Sequence, residues 1–422
     1  MSSAASSEAP APGDPGRPRV AVVGAGIGGL TLAAALARVG VPCTVFERAG
    51  EFSPVGAGLQ LAPNAVRLLH RLGLAPRLRE RAVRPVAREI RRWENDALLS
   101  RLPLGEECAR LYGAPYLTVH RADLHEALSG VAGDRVRRGR SVVGVESLPD
   151  GALLWFADGT GHRADAVVGA DGIRSVVRGT LVRDAPVFSG HVVHRGLVPV
   201  ERVPEAADPP RVTLWFGPGR HCVCYPVSGG RWLSFVATVP VGEAEPESWT
   251  TEGEPAELAA AYRGWNDTVS ALFAAAARTG RWSLYDRKPL AAWSSDRVTL
   301  LGDAAHPMLP FLAQGANQAV EDALTLAVCL SRVDRAGVPE ALRRYESLRL
   351  PRTTELQRDS RGTTAATHLP DGEAQRARDA ALRHAGDLRS MARWYGHDAM
   401  AVAAGRPPTR RPVTAEGVPA PG

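Results

Sequence analysis

The pattern of apolar and polar positions changes character along the chain. Residues 1–17 are rich in Ala, Ser, Pro and Gly, with neither an apolar period nor a basic, then apolar, export leader, and are expected to be disordered. Order begins at Val20-Ala21-Val22-Val23, a continuous apolar run of strand length. A Gly-rich turn and the helical segment Leu30–Val39 follow, and Cys43–Phe46 completes a βαβ unit. Residues 64–82 and 122–132 predict helices, and 153–156 and 164–169 predict strands on either side of the turn pair Asp158-Gly159. Between about 186 and 285 the runs Val192–Val200, Val212–Phe216, Cys222–Val227 and Trp232–Val239 are separated by Pro/Gly turns, which predicts one antiparallel sheet. Strand, loop and helix resume at Arg297–Leu301, and residues 401–422 form a Pro-rich tail, also expected to be disordered. The expected class is therefore α/β: a discontinuous domain (18–185 and 286–400) interrupted by a sheet domain (186–285).

Composition narrows the functional classes. At 45% hydrophobic and 23% charged residues the chain is ordinary globular protein. No apolar run reaches the ~18 residues of a membrane helix, so no membrane partner is expected. Lys+Arg number 51 against 45 Asp+Glu, but Lys288 is the single lysine and the arginines are scattered. That is an Arg-decorated surface rather than a nucleic-acid footprint. Five cysteines without CxxC spacing argue against a disulfide scaffold or a metal site and fit a reducing cytoplasm.

Three motifs carry chemistry. Gly24-Ala25-Gly26-Ile27-Gly28-Gly29 matches GxGxxG: Gly24 for the tight turn, Gly26 for backbone approach to a pyrophosphate, Gly29 for close helix–strand packing. Glu47 ends the next strand, 18 residues after Gly29, where a ribose hydroxyl would meet it. This motif alone leaves FAD and NAD both open, since both carry an ADP half. Asp171-Gly172 with Ser175 and Arg178, and Gly302-Asp303 before Ala304-Ala305-His306-Pro307, each follow a short apolar run. Asp303 is placed to bind a polyol, whereas Asp171-Gly172 also reads as a turn with a capped helix.

Together, in this order, these motifs resemble the single-component FAD-dependent aromatic hydroxylases, the family with the para-hydroxybenzoate hydroxylase fold. Within it the chain looks most like the salicylate hydroxylase and 3-hydroxybenzoate 6-hydroxylase group. The likeness covers about residues 18–400. It also rests on Gly56–Ala65 with Leu69–Leu74, on His120-Arg121-Ala122-Asp123-Leu124, and on Pro310–Ala319 with Glu321-Asp322-Ala323. The resemblance implies a Rossmann-like FAD-binding domain interrupted by an antiparallel-sheet substrate domain, with a helical C-terminal part. It assigns FAD to Gly24, Gly26, Gly29, Glu47, Arg48, Arg121, Asp171, Asp303, Gly315, Ala316 and Asn317. It further implies NADH or NADPH as a transient reductant, since a single GxGxxG leaves no second dinucleotide domain, together with O2, a C4a-hydroperoxyflavin, a small aromatic substrate and a homodimer.

Hydroxylation of a phenolic acid runs faster when a base near neutrality removes a proton. His221 and Tyr225, in His221-Cys222-Val223-Cys224-Tyr225-Pro226, are four apart and so share one face of a strand. This resembles the HxxxYP pattern of the 3-hydroxybenzoate group, which implies His221 as base with Tyr225 supporting it and Gln314 positioning the ring. Cys222 and Cys224 face the other way and are expected to pack. The substrate expected is 3-hydroxybenzoate- or salicylate-like. Alternatives are a larger phenol of secondary metabolism and a flavin- or ligand-binding protein without turnover. A halogenase is disfavoured, because no two tryptophans stand in the spacing of WxWxIP.

Overall fold

The computed structural model describes residues 16–52, 57–243 and 252–406. Gly56, residues 1–15 of the expected leader and 407–422 of the expected tail lie outside them. Five short strands form a wholly parallel sheet in the spatial order Val298–Leu300, Ala166–Gly169, Val20–Val23, Cys43–Phe46, Val136–Arg137. Val20–Val23 and Ala166–Gly169 are buried at every position, as parallel strands covered on both faces must be. Helices Ile27–Arg38 and Gly315–Leu330 pack against each other beside this sheet in one core with its valines and leucines.

The second sheet has eight strands and departs from expectation in extent. Its antiparallel centre is Val187–Pro199, Arg211–Gly217, Arg220–Val227, Trp232–Pro240 and Thr279–Asp286. Ala87–Arg92 and Leu98–Pro103, from the part of the chain expected to hold only the flavin domain, extend its edge, and Ala87–Arg92 pairs in parallel with Arg211–Gly217. Ala87–Arg92 carries three arginines and a glutamate, and Leu98–Pro103 groups its leucines without strict alternation, so neither run has the two-residue period of a half-buried strand. One face of this sheet buries Trp215, Cys222, Cys224 and Phe235 against helices Pro255–Ala261 and Asp267–Ala275. The opposite face carries His221, Val223 and Tyr225 toward the parallel sheet's loops.

Three further differences are local. The run 164–169 belongs to two sheets: Gly161–Ala164 closes a hairpin with Gly151–Phe156, and Ala166–Gly169 joins the parallel sheet. Arg17, the last residue of the expected leader, donates to the Ser331 carbonyl at 2.6 Å. At the other end, helix Ala399–Ala403 runs into the first residues of the expected tail.

Two helices of the second half of the flavin domain are joined by a buried ionic cluster. Glu321 and Asp322, on helix Gly315–Leu330, meet Arg349 and Arg352 of the 30-residue helix Val338–Thr367. Arg349, 1% exposed, donates Nε to Asp322 at 2.7 Å and its terminal nitrogens to Glu321 at 2.5 Å and Gln318 at 2.6 Å. Arg352 grips Glu321 with two bonds of 2.8 and 2.9 Å. Burial alone would raise both carboxyls, but the guanidiniums hold Glu321 well below the usual range, and His306 with Arg349 holds Asp322 below it. Removing one partner from such a buried pair leaves an uncompensated charge, at roughly 3–5 kcal/mol. Arg349→Met should therefore lower unfolding stability by about that amount in urea titrations of the holoprotein at pH 7.

Candidate active site

Three loops leave the carboxyl ends of three adjacent parallel strands, where open α/β sheets bind ligands. After Val20–Val23 the glycines divide their work. Gly24 has φ +101°, and a Cβ there would sit 2.5 Å from the Ala170 carbonyl oxygen; at Gly29 it would sit 2.0 Å from the Gly24 oxygen. These two are closed by the fold itself. A Cβ on Gly26 would meet nothing within 4 Å among the described residues, so this glycine faces open space. Behind it, helix Ile27–Arg38 begins with no side-chain cap and no acid in its first turn, a free positive end for a pyrophosphate. Glu47 closes the neighbouring strand and turns its carboxylate onto the Ala25 and Ala49 N–H groups, each at 2.9 Å. Beyond it, Phe52, Ser129, Val136, Arg138 and Arg140 are among the residues lining a depression of about 480 Å³.

The other two loops follow. Asp171 accepts from Ser175 Oγ at 2.5 Å and Val176 N–H at 2.7 Å, so its carboxylate caps helix Val176–Leu181, and Ser175 caps the same helix through the Arg178 N–H. The capped-turn alternative is the geometry observed. Asp303 and Arg121 are exposed to solvent, yet surrounding protein pushes the Asp303 carboxyl up against the opposing pull of His306 and Arg121. A side chain both wetted and desolvated lines a cleft. Arg48 lies exposed on the Glu47 turn.

The wall of the cleft is Pro310–Leu312, the left-handed Ala313 (φ +51°) and the start of helix Gly315–Leu330, again without a side-chain cap or first-turn acid. Gly315 and Ala316 present that helix end. Asn317 locks the loop in place: it accepts from Ala62 N–H at 2.8 Å and donates to the Gln60 and Ala313 carbonyls at 3.0 and 2.7 Å. Gln314 departs from the expected ring-positioning role. It is 3% exposed, and its Oε1 accepts from Asn64 at 3.2 Å and Gln318 at 3.1 Å, turned inward to the ionic cluster.

Above the loops, the sheet face is a grid set by register. His221, Val223 and Tyr225 alternate along one strand, with Ser234, Val236 and Thr238 on the next and Val193 and Arg195 on the third. Phe311 meets the His221 ring edge-on at 5.3 Å. His221 is 5% exposed, and burial with two neighbouring histidines holds it well below its ordinary value. Its Nδ1 meets His368 Nε2 at 2.8 Å and Thr238 Oγ1 at 3.1 Å, which leaves Nε2 for a substrate. Tyr225 does not support His221 as expected. Four residues along a strand place it on the order of 13 Å away, and its hydroxyl, pushed up to about 12 chiefly by burial, bonds with Gln60 and Ser234.

Arg195 is the charged residue on this face to which the sequence assigned no role. Its Nε is buried without a hydrogen-bond partner, its guanidinium lies 5.4 Å over the Trp282 ring, and its charge acts on Tyr225. A signal existed: one arginine interrupts the inward alternation of Val193, Arg195 and Leu197. His368 carried none, since it caps the far end of a helix 147 residues from His221.

An open glycine at a free helix end, a cleft-lining Asp303 and a second free helix end over an apolar sheet face define a flavin-dinucleotide site closed by a substrate pocket. The FAD binding domain model matches residues 17–360. Over 387 residues the chain is 50% identical to a 3-amino-4-hydroxybenzoate 2-monooxygenase of Streptomyces platensis, covering 92% of this chain and 98% of that one. It is 38% identical over 351 residues to a 6-hydroxynicotinate 3-monooxygenase of Pseudomonas fluorescens (82% and 91%). Among solved structures, Klebsiella pneumoniae HpxO with FAD and uric acid superposes with TM-score 0.81 at 29% identity (90% and 96%), and a salicylate hydroxylase substrate complex with 0.78 at 27% (93% and 98%). The chain belongs to the FAD-dependent aromatic hydroxylases and is a monooxygenase of that family.

Two predictions follow from this geometry. Gly26→Val should fold normally but lose FAD, scored by flavin fluorescence after desalting, whereas Gly29→Ala should fail to fold; equal loss of fold in both would refute the division of labour. His221 and His368 are both held below their ordinary value, His368 to about 3, chiefly by burial. As pH falls below about 6.5 the unfolded chain takes up protons first, so stability should decline from there downward. Urea midpoints at pH 7.5 and 5.5 measure this, and His368→Gln should flatten the difference.

Proposed function

We propose that this hydroxylase acts on a 3-amino-4-hydroxybenzoate-type ring, adding oxygen at the carbon between the amino and carboxylate groups, with NADH or NADPH as reductant. The observation that carries the reading is an arginine with an unbonded buried Nε, Arg195, on the same apolar sheet face as a neutral buried histidine, His221. The first suits a benzoate carboxylate and the second a proton shed by the ring. The 50% identity to enzymes of that named activity, in Streptomyces platensis and Streptomyces cremeus, supports it.

Bound FAD supplies the activation of oxygen, which protein side chains cannot do. The chain's residues handle the rest. An electrophilic oxygen enters ortho or para to an electron donor. Position 2 is ortho to the amino group and meta to the hydroxyl, so the amine must be unprotonated. Once the carbon–oxygen bond forms, that carbon gives up its hydrogen as a proton, and His221 Nε2 is the acceptor the grid provides. Val223, Val236 and Phe311 surround the ring with apolar surface and exclude water.

Turnover should appear as 3-amino-4-hydroxybenzoate-dependent NAD(P)H oxidation, with a product heavier by one oxygen and its carboxylate retained; loss of CO2 would instead favour a 6-hydroxynicotinate-like course. His221→Ala should slow hydroxylation by ~10²–10⁴-fold; a full rate across pH 6–9 would exclude the base role. Arg195→Met should raise KM about 10–100-fold, the loss of a charged hydrogen bond, with partial recovery in Arg195→Lys.

A further inference from the structure

His221 is not an isolated base. His368, at the carboxyl end of the long helix, presents Nε2 to His221 Nδ1 at 2.8 Å, with ring centroids 5.0 Å apart and planes 28° from parallel. His191, on the same sheet, lies on the other side of His368 at 4.5 Å between centroids. Its Nδ1 faces the Ser189 carbonyl at 3.1 Å and therefore carries the proton, so its Nε2 is an acceptor. Thr238 Oγ1 holds the junction, 3.1 Å from His221 Nδ1 and 3.4 Å from His368 Nε2, and Phe311 covers both rings edge-on. The series runs outward: His221 is buried, while His368 and His191 are half-buried.

We propose that His221, His368 and His191 form a relay that carries the substrate's proton from the closed pocket to the surface. One proton enters His221 at Nε2 and one leaves His221 from Nδ1 onto His368 Nε2. His368 Nδ1 is buried with no hydrogen-bond partner among the described residues, and the His191 ring lies 4.5 Å from the His368 ring, so the relay's last step passes this proton through an intervening water to His191. Each ring gains one proton and loses one, and no electrons move.

Two features of the surroundings suit transit rather than storage. The groups acting on His221 are His368 and His191, and that on His368 is His191; the facing side chains from sheet and loop are Thr238 and Phe311. Arg378 is bound to the Ala366 and Thr367 carbonyls beside His368 and is paired with Asp379. Among the described residues no carboxylate is hydrogen-bonded to His221, His368 or His191 to trap the proton, as it would in an Asp–His pair. Burial also makes each imidazolium a poor resting place, so a route outward is what lets a weak base finish the transfer. This role is distinct from packing, because a proton conductor needs the nitrogen atoms and not only the ring.

The inference rests on the proposed hydroxylation and its test separates the two. In holoenzyme with 3-amino-4-hydroxybenzoate and NADH, product is quantified for wild type, His368→Ala, His368→Phe and His191→Ala, with far-ultraviolet circular dichroism as the check of fold. No product from wild type would fail the proposed function. Given wild-type turnover, His368→Ala should be slowed ~10²-fold, the scale of a lost proton-transfer group. It should show a shifted pH profile and an enlarged solvent deuterium isotope effect, and should recover with added imidazole. His368→Phe, which keeps the ring but fills the space, should be slow and not rescued, and His191→Ala should be slowed less. Wild-type rates in His368→Ala would overturn the relay. So would slowing with an unaltered pH profile and isotope effect and no response to imidazole, which is what a purely structural histidine produces.

Discussion

Everything at the site hangs on the buried pairing of Glu321 and Asp322 with Arg349 and Arg352. Asp322 accepts the Gly302 N–H at 3.0 Å and meets His306 at 2.6 Å, which fixes the loop carrying Asp303. Glu321 accepts from Asn64 at 2.7 Å, the same side chain that donates to Gln314, so the wall of the cleft and helix Pro63–Arg71 share one anchor. Two carboxylates and two guanidiniums are neutral as a set. That is why burial is tolerable, and why the loss of any member would move a cofactor-binding loop rather than a patch of surface.

From this anchor the rest of the architecture follows. The parallel sheet delivers three loops to one edge, and the ionic cluster holds the third of them. The free ends of helices Ile27–Arg38 and Gly315–Leu330 offer positive potential at two points of that edge. The eight-stranded sheet then places a mostly apolar grid over the opening, with Arg195 and His221 among its polar side chains. The long helix touches both sheets' sides of the cleft: Arg349 near its middle bonds Glu321 and Asp322, and His368 at its end reaches His221.

Legibility in the sequence tracked locality. The GxGxxG loop, Glu47, the Asp171-Gly172 and Gly302-Asp303 motifs and the alternating strands were readable because each is a local pattern with a local cause. Within the motif, spacing alone could not tell that Gly26 faces open space while Gly24 and Gly29 are closed by backbone. Asp171 shows the same limit, since a capped helix and a cofactor contact begin with the same residues. Long-range pairings left no pattern: His368 with His221, Arg349 with Asp322, and strands Ala87–Arg92 and Leu98–Pro103 at the sheet edge. Tyr225 was misjudged because sharing a face of a strand is not proximity. Gln314 was misjudged because a loop glutamine next to a buried carboxylate cluster turns to the stronger field.

The central claim is that this pocket transfers one atom of dioxygen to the ring carbon beside an aromatic amine. It is tested most directly by turning over 3-amino-4-hydroxybenzoate under 18O2 and locating the label by mass spectrometry and NMR. The account predicts one 18O in the product, on the carbon between the amino and carboxylate groups. Hydrogen peroxide with unaltered substrate, or label arriving from water, would contradict it.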